Sequence, residues 1–474
     1  MQTFLFYDIE TSGLNPAFDQ VLTFAGIRTD LDLNEIERET ITVQLRRDIV
    51  PSPRAFLTHG LTYDELANGI SEYDAARKIH ALVNTPGTIS LGYNSLGFDD
   101  EFLRFLFYRN LLDPYVHQYG NGCSRMDLLP ITVVLRVFHP DGVIWPTIDG
   151  KPSLKLELIS RENQFVTSGR AHEAMSDVEA LIGLTKKLIQ KKDIWNYCFD
   201  FFNKTRDEVR INTIETVCDI LSDKYQLCLM VSAAFGPDAN YLAPVIHIGQ
   251  SIAYKNQNLW LRLDSDDILG LETKAQFKDT YIIRKRYGDT PIVLPAIERF
   301  WMKLSEPSKE SIARNLKIIG SHGPRFKEFI AYHRAYKYPR VPNIDSDAAL
   351  YQDGFFSSRE KKESHLFHQA GNDEKSLILE QIKSPRIQQL AHRILMRNFN
   401  DRADLTYRAE YDQYIKRLVS DKKSDHFMGY KGDVKYNCMQ GLKELKELKI
   451  ELSNPNHEQT KMLEWLYVYI KNKF

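Results

Sequence analysis

The sequence predicts an α/β domain, then a small domain of short strands, then a helical domain. Three observations lead to this prediction. Strand-like and helix-like stretches alternate early in the chain, short apolar runs broken by Gly, Asp, Asn and Pro follow, and the remainder has mainly helical spacing. With 474 residues and 43% hydrophobic composition, the chain can bury several cores. We place the domains at 1–190, 191–345 and 346–474.

The elements of the first domain follow from apolar periodicity. Short apolar runs predict strands at TFLFYDI, VLTFAGIRT, TITVQL and TISLGYN. Apolar residues at helical spacing predict helices at SEYDAARKIHALVN, FDDEFLRFLFYRNLL and AHEAMSDVEALIGLTKKLIQKK. Because lysines suit a helix C-terminus, the third helix should close this domain near residue 190.

The two later domains differ in the spacing of their apolar residues. The middle domain should contain short strands at LCLMVSAAF, APVIHIG, SIAY, LWLRLD and TPIVLP. The last domain should contain helices at KSLILEQIK, RIQQLAHRILMRNF, DLTYRAEYDQYIKRLVSD, GLKELKELKIEL and HEQTKMLEWLYVYIKNK. No repeat period points to a solenoid.

Composition restricts the class of protein. The chain has no apolar run of membrane-spanning length, and its five scattered cysteines suggest neither a disulfide framework nor a zinc site. We therefore expect a soluble cytoplasmic protein. The net charge of −1 gives no global attraction to a polyanion, but residues 281–340 hold thirteen Lys and Arg against five Asp and Glu. That excess suits a nucleic-acid or acidic partner, and equally a solvated basic face.

Acidic residues at three separate places could form one site. Asp8 and Glu10 share one side of a strand, because side chains at i and i+2 point the same way. Asp99 begins a helix, where an acid can also simply complement the helix dipole. Asp177 lies on a long helix, with His172 on the loop before it. Each of these residues alone is explained by solvation or capping.

The order of these motifs resembles the His-containing branch of the DEDD exonuclease superfamily. The matching pattern is a strand with D-x-E, then N-x-x-x-F-D opening a helix, then H-x4-D. Longer stretches resemble the bacterial exonuclease I family: FAGIRTD, GYNSLGFDDEFLRFLFYRNLLDPY, SRMDLLP, GVIWPTIDGKPSLKLELIS and LYQDGFFS. The resemblance implies an RNase H-like, DnaQ-type exonuclease domain, an SH3-like β-barrel and a C-terminal helical domain.

The resemblance assigns roles to the acidic residues and the histidine. It implies two Mg²⁺ ions, replaceable by Mn²⁺, and a general base at His172. The implied metal ligands are Asp8, Glu10, Asp99 and Asp177. Two-metal phosphodiester hydrolysis needs an activated water and neutralisation of the leaving oxygen, and hard cations prefer carboxylate oxygens. The absence of a Cys/His cluster argues against zinc.

The resemblance also implies a substrate. Members of the family degrade single-stranded DNA processively from the 3′ end to 5′-mononucleotides, in DNA repair and recombination. The implied substrate-binding residues are Glu10, Arg104, Tyr115, Tyr119 and Lys155. Lys155 stands where the family commonly has Arg, so a point charge replaces a bidentate fork. Most aromatic residues near these positions should be core, except Tyr115, Tyr119 and Trp145, which have Gly, Pro or polar neighbours.

The implied partners are single-stranded DNA and the acidic C-terminal tail of a single-stranded-DNA-binding protein. We expect a monomer that does not bind a membrane. Two alternatives remain open. One is an RNA-directed exonuclease of the same superfamily, which matched DNA and RNA oligomers would distinguish. The other is an inactive single-strand-binding protein, which would bind DNA tightly without metal and release no product.

Overall fold

The computed structural model describes residues 2–166, 173–220, 222–268, 274–400, 403 and 405–473. These residues form two compact units. Unit 1 contains residues 2–125, 173–179 and 340–473, and unit 2 contains residues 126–166 and 180–339 within the described ranges. The predicted three-domain division at residues 190 and 345 stays a prediction.

A mixed five-stranded sheet, in the order β3-β2-β1-β4-β5, positions the acidic residues. Strand β1 pairs antiparallel with β2 and parallel with β4. The bounds of the first elements are β1 Thr3–Thr11, β2 Val21–Thr29, β3 Glu35–Thr42, α1 Pro53–His59, α2 Tyr63–Ala67, α3 Glu72–Val83, β4 Thr88–Gly92, α4 Asp99–Arg109 and β5 Ser124–Asp127. Every residue of β2 is buried, which explains its mainly apolar sequence, and the buried Arg28 within it pairs with Glu37. The predicted α/β class is confirmed.

Unit 2 is built around a second, antiparallel sheet. Its order is β12-β11-β10-β9-β13, with β8 paired to β9, and among the described strands it stays open rather than closing into a barrel. The bounds of the elements from residue 126 to residue 339 are α5 Leu128–Phe138, β6 Thr147–Ile148, β7 Lys151–Pro152, α6 Leu156–Asn163, α7 Ala174–Ile189, α8 Lys192–Phe201, α9 Lys204–Asn212, β8 Val217–Ile220, β9 Asp223–Val231, β10 Leu242–Gln250, β11 Gln257–Arg262, β12 Ile282–Arg286, β13 Ile292–Pro295, α10 Glu298–Trp301, α11 Glu306–Ser321 and α12 Gly323–Ala335. The first residues of α7, up to Glu179, belong to unit 1. The stretch SIAY, predicted as a strand, is instead a turn after β10.

The chain then returns to unit 1 as helices. Their bounds are α13 Leu350–Asp353, α14 Ser358–Gln369, α15 Lys375–Gln381, α16 Pro385–Asn398, α17 Leu405–Arg417, α18 Cys438–Glu451 and α19 His457–Lys473. Phe56 and Leu66 of α1 and α2 share one apolar core with residues of α18 and α19. None of the helices in the described ranges combines the length and apolarity needed to span a bilayer.

Buried ion pairs also join early and late parts of unit 1. Asp48 is fully buried and lies 3.1 Å from Arg46 Nε, 2.8 Å from Arg397 Nη2 and 3.1 Å from Lys435 Nζ. Arg46 also pairs with Glu72 of α3 at 2.7 Å. A buried charge without a close partner is strongly destabilising. These ion pairs therefore hold the late helices in position against the first sheet.

Candidate active site

The acidic residues lie at one end of the first sheet, where the parallel strands β1 and β4 finish. Strand β1 carries Asp8 and Glu10, and the parallel neighbour β4 ends close by at Gly92. The turn after β4 is tight, because a Cβ on Gly92 would lie 2.6 Å from Ser95 Cβ and 3.3 Å from the Tyr7 carbonyl oxygen. Helix α4 follows and begins with Asp99. This end of the sheet therefore receives acids from two neighbouring strands.

Helix α7 supplies the third acid. Asp177 lies in the first turn of α7, and one carboxylate oxygen from each of Asp8, Glu10 and Asp177 lies within 4.8 Å of the others. Asp99 is buried, and its charge reaches both Asp8 and Glu10. The structure thus places Asp8, Glu10 and Asp177 at distances that suit a shared metal ion, and Asp99 close enough for its charge to act on Asp8 and Glu10. His172 lies outside the described residues.

Burial and mutual repulsion of the carboxylates govern the electrostatics of this cluster. Burial, followed by the charge of Asp99, raises the pKa of Asp8 well above its usual value. Burial, followed by the charges of Asp177 and Asp99, raises the pKa of Glu10 to about 8. Closely spaced oxygen donors that repel one another suit a divalent cation, which removes the repulsion. The residues present therefore fit a metal centre.

A cavity of about 680 Å³ opens beside Glu10. Thr23 and Thr42 of the sheet line one side of it, and His59 at the end of α1 and Leu61 before α2 line another. Gly60 ends α1 with a φ of 71°, a left-handed conformation that favours glycine and turns the chain toward α2. The cavity thus continues from the acidic cluster along one face of the sheet.

The predicted substrate-binding residues lie in different surroundings. Arg104 is only 8% exposed, ion-paired with Glu101 and Asp100, and its guanidinium lies 5.8 Å from the centre of the Tyr115 ring. Tyr115 is half-buried, and Tyr119 is 67% exposed. Lys155 belongs to unit 2, where it is exposed just before α6.

The expectation that most nearby aromatic residues are core is confirmed. Phe105, Phe107 and Tyr108 of α4 are fully buried. Trp145 is half-buried, and its indole Nε1 donates a hydrogen bond to the carbonyl oxygen of Pro140. Of the three residues expected outside the core, Tyr119 is exposed, whereas Tyr115 and Trp145 are half-buried.

Sequence reasoning missed a charged network around the start of α4. Asp100 is buried and ion-paired with Arg125 and Arg104. Burial alone would raise the pKa of Asp100, but Arg125 beside it holds that pKa well below its usual range. The hydroxyl group of Tyr351, in the LYQDGFFS stretch, donates a hydrogen bond to Glu101. Only the fold brings Tyr351 to α4, so no local signal could have revealed this contact.

Comparisons with known proteins agree with this site. A family model described as Exonuclease matches residues 5–185, and one described as Exonuclease I C-terminal domain matches residues 344–473. Exodeoxyribonuclease I of Escherichia coli K12 is 31% identical over 383 residues, covering 76% of this chain and 78% of that protein. The enzyme of the same name from Buchnera aphidicola subsp. Acyrthosiphon pisum is 30% identical over 427 residues, covering 84% and 97%.

Solved structures extend the likeness to the whole chain. The crystal structure of E. coli exonuclease I with a dA16 oligonucleotide superimposes with a TM-score of 0.82 at 26% identity, covering 100% of both chains. A zinc-bound form of the E. coli enzyme in complex with single-stranded DNA also has a TM-score of 0.82, at 25% identity, covering 100% of this chain and 99% of that one. The chain belongs to the exodeoxyribonuclease I family.

Proposed function

We propose that this protein is a 3′→5′ exodeoxyribonuclease that degrades single-stranded DNA processively to 5′-mononucleotides. The observation that carries the proposal is the cluster of Asp8, Glu10 and Asp177 at one end of the first sheet of a chain from this family. Action in DNA repair and recombination follows from the family resemblance and stays a prediction, as does the cytoplasmic location expected from the composition.

In this proposal the acidic residues hold divalent metal. Asp8, Glu10, Asp99 and Asp177 would hold two Mg²⁺ ions, with Mn²⁺ able to substitute. When bound, such ions activate a water molecule and neutralise the leaving oxygen. The E. coli relative has been crystallised in a zinc-bound form, so the identity of the metal at this site stays a prediction.

Other residues would bind and orient the substrate. The cavity beside Glu10 would receive the 3′-terminal nucleotide, with Glu10 contacting both it and the metal. His172 would accept the proton of the attacking water. Tyr119 is exposed enough to stack on a base, and Tyr115 would offer a ring edge. Arg104 and Lys155 would neutralise phosphates, Arg104 only after loosening one of its ion pairs.

A metal-dependence assay tests the activity. Single-stranded and duplex DNA, labelled at the 5′ end, are incubated with Mg²⁺ or EDTA, and the products are sized. We expect the labelled single strand to shorten progressively while unlabelled mononucleotides are released, with Mg²⁺ only, and no activity in Asp177→Asn. Glu179→Gln is the matched control, because Glu179 lies on the same helix but pairs with Arg38 at the surface. Shortening from the 5′ end, or cleavage in EDTA, would contradict the proposal.

The substrate class and the domain division need separate tests. Faster degradation of an RNA oligomer than of the matched DNA would favour the exoribonuclease alternative. Tight DNA binding without any product would favour the inactive binding protein. We also propose the three domains 1–190, 191–345 and 346–474, which limited proteolysis would test through cleavage near residues 190 and 345.

We propose that residues 281–340 dock the acidic tail of a single-stranded-DNA-binding protein. Arg334, Lys337 and Arg340 are exposed in this region and support the proposal. Lys285 is excluded, because it is fully buried and paired with Asp207 at 2.8 Å. Charge reversal at Lys337 and Arg340 should weaken binding of an acidic tail peptide, and unchanged binding would refute this docking region. Sedimentation should show a monomer.

A further inference from the structure

His59–Leu61 form one wall of the cavity beside Glu10, and the segment that carries this wall packs against the last helix of the described chain. His59 and Leu61 line the cavity, yet the apolar core beneath their segment is mostly formed by α18 and α19. From the first sheet, only Leu22 joins the buried part of that core. The position of this wall therefore depends on residues about 400 positions later in the sequence.

One aromatic side chain of α19 is at the centre of this contact. The half-buried Trp465 ring lies 5.4 Å from the ring of Phe56 and 6.0 Å from that of Tyr63. Phe56 in turn packs edge-on against the His59 ring at 4.8 Å. Trp465 thus contacts residues on both sides of the short stretch that lines the cavity.

Polar contacts fix the same segment to the same helical hairpin. Arg54 makes two hydrogen bonds of 2.8 Å to Glu451, and Ser52 donates to Glu444 at 3.1 Å. The backbone N–H of Leu61 donates to His59 Nδ1 at 3.1 Å, so the imidazole and the backbone of the wall move together. A shift of α1 would therefore be transmitted to the cavity.

We infer that Trp465 is a positioning residue for terminal-nucleotide binding, acting through Phe56 and the His59–Leu61 wall. This inference rests on the proposed function of the cavity. Trp465 itself does not line the cavity, so its removal should alter the shape of the nucleotide site and leave the acidic cluster intact. Displacements of about 1 Å in positioning elements can cost up to about a hundredfold in activity.

The test measures inhibition by a 5′-mononucleotide, the reaction product, with Mg²⁺ present. In Trp465→Ala we expect the inhibition constant and the KM for a short single strand to rise about tenfold, with kcat changed less than about threefold. Trp465→Phe restores a ring and should return both constants to near the wild-type values. Tyr467→Ala is the matched control, since Tyr467 lies on α19 but packs against Lys449 and Lys471.

The outcomes separate positioning from a purely structural role. An inhibition constant within about twofold of wild type in folded Trp465→Ala overturns the inference, as does a fall in kcat alone. If Trp465→Ala does not fold, Trp465→Leu replaces it, because leucine keeps apolar volume without the ring. An inhibition constant of Trp465→Leu within about twofold of wild type then overturns the inference. Failure of the wild-type protein to release mononucleotides would instead refute the proposed function.

Discussion

Replacing Glu72 by Gln should destabilise unit 1 without touching the acidic cluster. Glu72 is 2% exposed and accepts hydrogen bonds from Arg46 at 2.7 Å and from Arg109 at 3.0 and 3.2 Å. Burial alone would raise the pKa of Glu72, but Arg109 and Arg46 lower it from 4.5 to about 2. That shift corresponds to about 3 kcal/mol of folding free energy at pH 7. Glu72→Gln leaves two buried guanidinium groups short of negative charge, so a loss of about 3–5 kcal/mol is expected.

The pH dependence gives the sharper test. Because the pKa of Glu72 is lower in the folded state, its contribution is complete above the unfolded value of 4.5 and is lost as pH falls toward about 2. The difference between wild type and Glu72→Gln should therefore fall to roughly half at pH 3. Urea denaturation monitored by circular dichroism measures this difference in unfolding free energy at pH 3 and pH 7.

An exposed ion pair provides the control. Glu451→Gln removes one of the two acidic partners of Arg54. The side chains of Glu451 and Arg54 are 53% and 49% exposed, so this change should lower the free energy of unfolding far less than Glu72→Gln does. Equal losses in Glu72→Gln and Glu451→Gln would refute the reasoning, as would a Glu72→Gln loss that is the same at pH 3 and pH 7.

Three further predictions concern the site and unit 2. Glu10→Gln should abolish cleavage. The pKa of Glu10 is raised from 4.5 to about 8 in the folded state, so wild type loses stability as pH rises from 4.5 through 8. In metal-free protein Glu10→Gln should therefore be about 4 kcal/mol more stable than wild type at pH 8, and within about 1 kcal/mol of it at pH 5. Thermal unfolding in EDTA at both pH values checks this. Tyr119→Ala should weaken single-strand binding in EDTA by about 1–3 kcal/mol, which is the contribution of one stacked base. Fluorescence anisotropy measures this affinity, and an unchanged value would mean that Tyr119 does not contact the DNA. Lys285→Met should cost about 3–5 kcal/mol in urea denaturation, because Asp207 would keep a buried charge without its cation, and a loss below 1 kcal/mol would contradict that account.

Much of the secondary structure could be predicted because apolar periodicity reports burial. The last helix was predicted at its observed bounds, His457–Lys473, and β2 at Val21–Thr29. Strand β3 was predicted too late, at TITVQL, because its first six residues are exposed and include only one apolar residue, Ile36. Strand β12 was missed because its sequence, IIRKR, reads as a basic run, although Lys285 within it is buried.

The acidic cluster was predictable for a different reason. Asp8 and Glu10 are set on one face by strand geometry, and the family pattern joined Asp99 and Asp177 to them. The contacts that support the site were not predictable. Tyr351 reaches Glu101, and Trp465 reaches Phe56, across hundreds of residues of sequence. Neither partner has an unusual local sequence, so only tertiary structure reveals them.

The ion pairs of Asp48 have a consequence for the timing of protein synthesis. Arg397 follows Asp48 by 349 residues, so a ribosome adding about 5–20 residues per second needs on the order of 20–70 s between them. Until then the carboxylate of Asp48 lacks this cation, and the segment that lines the cavity lacks the helices on which it packs. Nuclease activity should therefore appear only after the late helices have been translated, and prematurely terminated chains should not cut DNA.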